Sequence, residues 1–194
     1  MTITSINMAS SSLRNICFLL LVCCASLTPT KSAEVKCTKT GPCSCEMSDG
    51  SGVIDLKRVG NAGKPMEVDA RFIHVKAVDA NSYSYNPCWS FEEVGCHSVA
   101  ICQRVPDRRA ALYFTLGTHD KSDFYHNGTH VILTYEGLTG TSQVVRTSHI
   151  TLVCNKENDD TLFIPYGEDP WVKPLHYYYD LISPHSCPGK HEET

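Results

Sequence analysis

The chain has 194 residues, 17 Lys and Arg against 21 Asp and Glu, 42% apolar residues and 11 cysteines. A net charge of −4 argues against nucleic acid and anionic membrane as partners, because both select a basic face that releases counterions or meets anionic headgroups. The length suits one domain with a sizeable core.

At the N-terminus Arg14 precedes the apolar run "ICFLLLVCCASL", and the small residues Ala25, Ser26 and Ala33 lie in or beyond it. That order predicts a secretory signal peptide at residues 1–33, cut between Ala25 and Glu34, since the run is too short to span a bilayer. Its loss removes Arg14 and Lys31 but no acid, leaving 17 − 2 = 15 basic and 21 acidic side chains, net near −6. No later segment is apolar for long enough to cross a membrane. The expected location is the secretory-pathway lumen (endoplasmic reticulum, Golgi or endolysosomal) or the cell exterior. Cys17, Cys23 and Cys24 leave with the signal peptide, so 11 − 3 = 8 cysteines remain: Cys37, Cys43, Cys45, Cys88, Cys96, Cys102, Cys154 and Cys187. An even set in an exported chain predicts four disulfides, among about 105 possible connectivities. "CTKTGPCSC" lacks a CxxC or HxxxH partner at finger spacing, so no zinc site, other metal or cofactor is expected. The sequon Asn127-Gly128-Thr129 predicts a glycosylated Asn127 on an exposed loop.

Residues 34–52 are cysteine-rich, polar and turn-prone, which suggests a segment stapled to the body rather than one that folds alone. "GVIDLKRVG" reads as a short strand or turn. Beyond it, "MEVDARFIHVKAV" (66–78), "SYSYNPCWSF", "SVAICQRV" (98–105), "AALYFTLG" (110–117), "HVILTYEG" (130–137), "SQVVRTSHITLVC" (142–154), "TLFIPYG" (161–167) and "HYYYDLIS" (176–183) are rich in β-branched and aromatic residues. Gly, Pro, Asn or Asp bounds each of them. Regular strand-and-turn spacing without an amphipathic helix predicts an all-β sandwich or barrel. "GKHEET" (189–194) reads as a flexible tail. A cysteine that closes a strand, as in "YSYNPC", "VAICQ" and "ITLVC", lies where a sheet or long loop is pinned without disturbing the ladder.

No catalytic set is expected. The GxSxG elbow of a serine hydrolase is absent. His119, His126 and His130 surround a loop and a sequon, not a helical HExxH frame, and read as solvated. Glu168 and Asp169 are adjacent, so on a strand they point to opposite faces and make a poor glycosidase pair. There remains a polar set beside the strand-end cysteines: Gln103, Arg146, Glu168 and Tyr177. An amide, a planar donor fork, a carboxylate and a phenol would together satisfy the hydroxyls of a neutral sugar if they converged.

The landmarks "GVIDL", "YSYNPC", "GCHSVAICQ", "FTLG", "VILTYEG", "RTSHITLVC" and "YYYDLISPHSCP", in that order, resemble the mannose 6-phosphate receptor homology domain, a lectin module of the secretory pathway. The resemblance covers residues 45–188, with residues 34–44 as a cysteine-containing N-terminal segment. It implies a flattened β-barrel or sandwich of two antiparallel sheets that binds terminal mannose of N-glycans. Gln103 and Arg146 would hold the axial 2-hydroxyl, and Glu168 and Tyr177 the 3- and 4-hydroxyls. It further implies disulfides Cys45–Cys88, Cys96–Cys102 and Cys154–Cys187, which leaves Cys37 to Cys43. Two departures stand out. Thr141 and Leu175 occupy the places of a bridge present in the phosphomannose receptors, and "EGLTGTSQVVR" lacks the Asp and His that help receive phosphate, which favours unphosphorylated mannose. The reading is therefore a soluble, non-catalytic lectin for mannose-bearing glycoproteins. The alternative is a disulfide-rich interaction or structural module whose sugar pocket is vestigial or repurposed.

Overall fold

The computed structural model describes residues 34–63, 70–139, 144–169, 171 and 173–189. The expected signal peptide and residues 190–194 of the expected tail lie outside the described residues, as does the start of the strand expected at 66–78. From Val35 onward the chain is one compact unit. In the cysteine-containing N-terminal segment, β1 (Cys37–Gly41) pairs with β2 (Ser44–Met47), and β2 with β3 (Val53–Asp55). The tail is tied at its first residue, for Gly189 exchanges backbone hydrogen bonds with Val53 at 2.8 and 3.0 Å.

The eleven later strands build two large sheets and a hairpin. β4 (Phe72–Lys76), β5 (Ser82–Tyr85), β8 (Ile101–Val105) and β9 (Leu112–Gly117) form a four-stranded antiparallel sheet. β10 (Ser122–His126), β11 (Val131–Thr139), β12 (Val144–Cys154), β14 (Lys173–Ser183) and β13 (Leu162–Asp169) form a five-stranded sheet in that spatial order. β6 (Phe91–Glu93) and β7 (Cys96–Val99) form a small hairpin. The fold is all-β, and neither large sheet closes on its first strand, so the body is a flattened sandwich.

One pairing departs from the antiparallel expectation: β14 inserts between β12 and β13 and runs parallel to β12. Burial accounts for its place. On β14, Tyr177, Tyr179, Leu181 and Ser183 are buried and the alternate residues half-buried, which suits a central strand. β13 exposes Leu162, Ile164 and Tyr166 on its outer face and takes the edge.

Inward residues of both sheets meet in one core. Tyr83 lies 5.4 Å edge-on from Tyr179, Tyr85 lies 5.0 Å from Phe163, and Phe163 lies 5.2 Å from Tyr179, separations at which aromatic pairs add to area burial. β9 and β11 cross so closely that a Cβ on Gly117 would sit 2.4 Å from Tyr135 Cβ and one on Gly137 2.7 Å from Gly117 N. A second, smaller cluster of Phe91, Val99, Cys96 and Cys102 lies beneath the β6–β7 hairpin.

Four disulfides pin this body: Cys37–Cys45, Cys43–Cys88, Cys96–Cys102 and Cys154–Cys187. The first two correct the expected Cys37–Cys43 and Cys45–Cys88. The cause is the β1–β2 register, in which Lys39 opposes Cys45 and Cys37 opposes Met47. Cys37 and Cys45 are therefore diagonal neighbours on one face, with Cα atoms 5.4 Å apart. Cys43 lies beyond the far end of β1, about 13 Å of extended chain from Cys37. It is fully buried and reaches Cys88, which closes the "YSYNPC" turn at φ 75°. Four disulfides fit an oxidising compartment, and no helix among the described residues is long and apolar enough to cross a membrane.

Candidate functional site

At one end of the sandwich, core positions of both sheets carry polar groups. Gln103 on β8 follows Ile101 on the inward face, opposite Tyr83 on β5, and is only 4% exposed. A buried amide needs partners. Gln103 Nε2 donates to Tyr83 Oη at 3.1 Å, and Tyr83 Oη donates to Asp79 Oδ2 at 2.5 Å. Burial and the neighbouring Asp79 carboxylate push the Tyr83 hydroxyl far above its usual range, so it stays a neutral donor.

Asp79 sits in the turn between β4 and β5, where Ala77 N bonds Asn81 O at 3.0 Å and Ala80 adopts φ 67°. Its Oδ1 accepts from Asn81 N and its Oδ2 from Asn81 Nδ2, each at 3.0 Å. Oδ2 also receives Glu168 N at 3.4 Å, across the gap from the other sheet. That approach depends on Gly167, at φ +89° in the bulge of β13, where any Cβ would sit 2.3 Å from Asp79 Oδ2.

Glu168 then faces Tyr177 as its cross-strand partner, and its Oε1 accepts from Leu175 N at 2.7 Å. Leu175 adopts φ 65°, which turns its N–H toward the carboxylate. So Leu175, one of the two departures from the receptor pattern, has a local use as a backbone donor; Thr141, the other, lies outside the described residues. Tyr177 is 2% exposed, and its ring centroid lies 6.4 Å from that of Tyr83. Burial first, then the Glu168 charge, raise the Tyr177 hydroxyl, while Arg146 beside it pulls the other way.

Arg146 on β12 completes the set. Its guanidinium carbon lies 4.8 Å over the Phe114 ring, and Phe114 is the β9 partner of Gln103. Arg146 Nε and Nη1 are out of solvent and make no hydrogen bond. Two unmet donors shielded from water on a half-buried cation are costly unless something outside the protein accepts from them.

The structure thus gathers Arg146, Glu168 and Tyr177 directly and joins Gln103 to them through Tyr83, Asp79 and Phe114. Gln103 and Tyr177 are buried; Arg146 and Glu168 are partly exposed and form the accessible side. Asp79, Asn81, Tyr83 and Phe114 were not singled out by sequence. Asp79-Ala80-Asn81 carries a turn signal, but nothing local marks its carboxylate as the hub. Asp169 caps its own turn, accepting from Trp171 N at 3.2 Å.

Of the loop histidines read as solvated, His119 differs: both ring nitrogens are out of solvent, and the ring stands edge-on to Tyr135 at 5.6 Å. It sits in the short turn between β9 and β10, against Tyr135 of β11. Among the described residues, no group of three or more His, Cys, Asp or Glu side chains is arranged to hold a metal ion. No protein-family profile matches the chain. No curated protein matches it in sequence either.

Proposed function

We propose that this protein is a non-catalytic lectin of the secretory pathway, working in its lumen or outside the cell, that binds terminal, unphosphorylated mannose on N-glycans. The observation that carries the reading is Arg146: a partly buried guanidinium with two unpartnered donors, beside a neutral phenol and a carboxylate, where three strands of one sheet face the Gln103 strand of the other. Arg146 and Gln103 take the axial 2-hydroxyl, and Glu168 and Tyr177 the 3- and 4-hydroxyls. A sugar hydroxyl donates to the carboxylate and accepts from the guanidinium and the phenol, so the set suits a neutral polyol better than an anion. The resemblance of the sequence landmarks, from "GVIDL" to "YYYDLISPHSCP", to the mannose 6-phosphate receptor homology domain supports the same assignment.

The test is retention of the oxidised protein on immobilised mannose. Arg146→Ala and Glu168→Gln each remove one charge-assisted hydrogen bond, about 1.5 to 3 kcal/mol, or roughly a tenfold to hundredfold loss of affinity. Folded wild type that shows no retention, with no binding on a broad glycan array, would remove the reading. A structural module is favoured by one specific observation, the near-complete burial of Gln103 and Tyr177. Under that reading Arg146→Ala lowers stability and leaves no binding to lose.

A further inference from the structure

The hairpin joining β10 to β11 carries the sequon. Asn127 N bonds His130 O at 3.0 Å, and Asn127 Oδ1 accepts from Thr129 N and His130 N at 2.9 and 2.8 Å. The side chain is thereby fixed in an Asx turn. Asn127 itself is exposed, and its Nδ2 makes no hydrogen bond among the described residues. Beside this tip runs a groove of about 410 Å³, with Thr129, His126 and His130 on one wall and Asp49 and Ser51, from the β2–β3 turn, on the other. Its floor is apolar: Met47, Ile54, Val131 and Leu152. The volume lies in the range of small-ligand sites, and an apolar floor under a polar rim is the usual make-up of one.

We propose that Asn127 carries an N-linked glycan whose first N-acetylglucosamine folds back into this groove, so that the glycan ties the β10–β11 hairpin to the three-stranded N-terminal sheet. The proposal rests on the secretory reading of the chain and not on mannose binding. Attachment follows ordinary stoichiometry. Asn127 Nδ2 forms a bond to C1 of the sugar of a polyprenyl-diphosphate oligosaccharide donor. The C1–O bond breaks with its electron pair on the diphosphate, and Nδ2 gives up one proton. Once attached, the sugar's apolar face and acetamide methyl meet Met47 and Ile54, while its hydroxyls and amide reach Asp49, Ser51 and His130. The groove commits to this occupant because the attachment residue lies in the chain between two residues that line it, His126 and the sequon's own Thr129. Gly128 between them, at φ +97° with open space about its Cα, leaves the approach clear.

The experiment uses the full chain secreted from a glycosylating eukaryotic host. Three forms of the folded protein are compared: intact, trimmed enzymatically to one N-acetylglucosamine, and fully deglycosylated by an amidase. Mass spectrometry is expected to find Asn127 occupied. The single-sugar form is expected to keep the Tm of the intact glycoprotein, the sugar-free form to fall by about 2–4 °C, and the Met47 methyl resonance to shift between those two. An unoccupied Asn127 overturns the proposal. Equal Tm values with an unmoved Met47 methyl overturn it as well, since the glycan would then stand clear of the groove. Trimming after folding avoids dependence on Asn127→Gln, which can be lost during folding in the cell.

Discussion

Replacing Gly167 with alanine tests whether the bulge of β13 holds the site together. Two costs follow from the geometry. At φ +89° a side chain brings about 1–2 kcal/mol of backbone strain. Its Cβ would also stand 2.3 Å from Asp79 Oδ2 and 2.5 Å from Cγ, so the carboxylate must move. That carboxylate receives Tyr83 Oη at 2.5 Å inside the core, and losing one hydrogen bond to a charged group there costs about 1.5–3 kcal/mol. Together the two make roughly 3–5 kcal/mol, a large part of the ~5–15 kcal/mol typical of a domain. Gly50 supplies the control: it has φ +78° but nothing within 4 Å of a built Cβ, so Gly50→Ala carries the strain alone. Urea unfolding at pH 7 measures both variants, with an unchanged m-value as the sign of an unaltered mechanism. The expected gap between them is about 2 kcal/mol, accompanied by loss of mannose retention only in Gly167→Ala. Equal destabilisation of the two would refute the role given to Asp79.

Acid offers a second measurement, because burial, then His176 and Lys173, hold His149 down to about 4. A folded-state value below the ~6.5 of an unfolded histidine means that the unfolded chain takes up the proton first, so stability is whole above about pH 6.5 and falls between 6.5 and 4. The ceiling near 3 kcal/mol is about halved for partial exposure, and His149→Leu is expected to flatten that slope; a slope unchanged in His149→Leu places the titration elsewhere. The revised bridges are checked by Cys43→Ala, which frees the thiol of Cys88; alkylation found on Cys37 instead would restore the other pairing. Removing Cys43–Cys88, which spans 45 residues, is expected to cost about 1.5 kcal/mol more than removing Cys37–Cys45, which spans 8, on loop-closure entropy.

Strands that place one face against the core were legible because their alternation is strong. β12 reads Ser148, Ile150, Leu152 inward, and β14 reads Tyr177, Tyr179, Leu181 inward. β1 and β10 were not. Thr38, Lys39 and Thr40 of β1 are all exposed, so its sequence shows no period, and its strand character comes from pairing with β2. β10 buries only Ser122 and Phe124 among His and Asp residues that resemble a loop. The same limit explains the bridges, for a diagonal cysteine pair is a property of register, which the spacing Cys37, Cys43, Cys45 leaves open. The parallel insertion of β14 was hidden for a related reason: local pattern marks a strand as central or edge but does not name its neighbours.

The four polar residues stood out in sequence as types, while what unites them is packing between sheets. Glu168 N meets Asp79 across 89 residues of chain, and Arg146 meets the Phe114 ring from the opposite sheet. Both contacts require the sheets to approach at this end more closely than ordinary side chains allow, and glycines stand at the crossing points: Gly117 against Tyr135, Gly137 against Gly117, Gly167 against Asp79. A mutation that widens this gap therefore moves Arg146 and Glu168 apart without touching either. Gly137→Ala, whose Cβ would meet Leu116 C and Thr115 O at 2.8 Å each, is the cleanest case, since Gly137 is the cross-strand partner of Arg146 and makes no side-chain contact of its own. It is expected to weaken mannose retention by more than its loss of stability explains. Retention that stays intact in the folded variant would mean that the spacing of the sheets does not set the site.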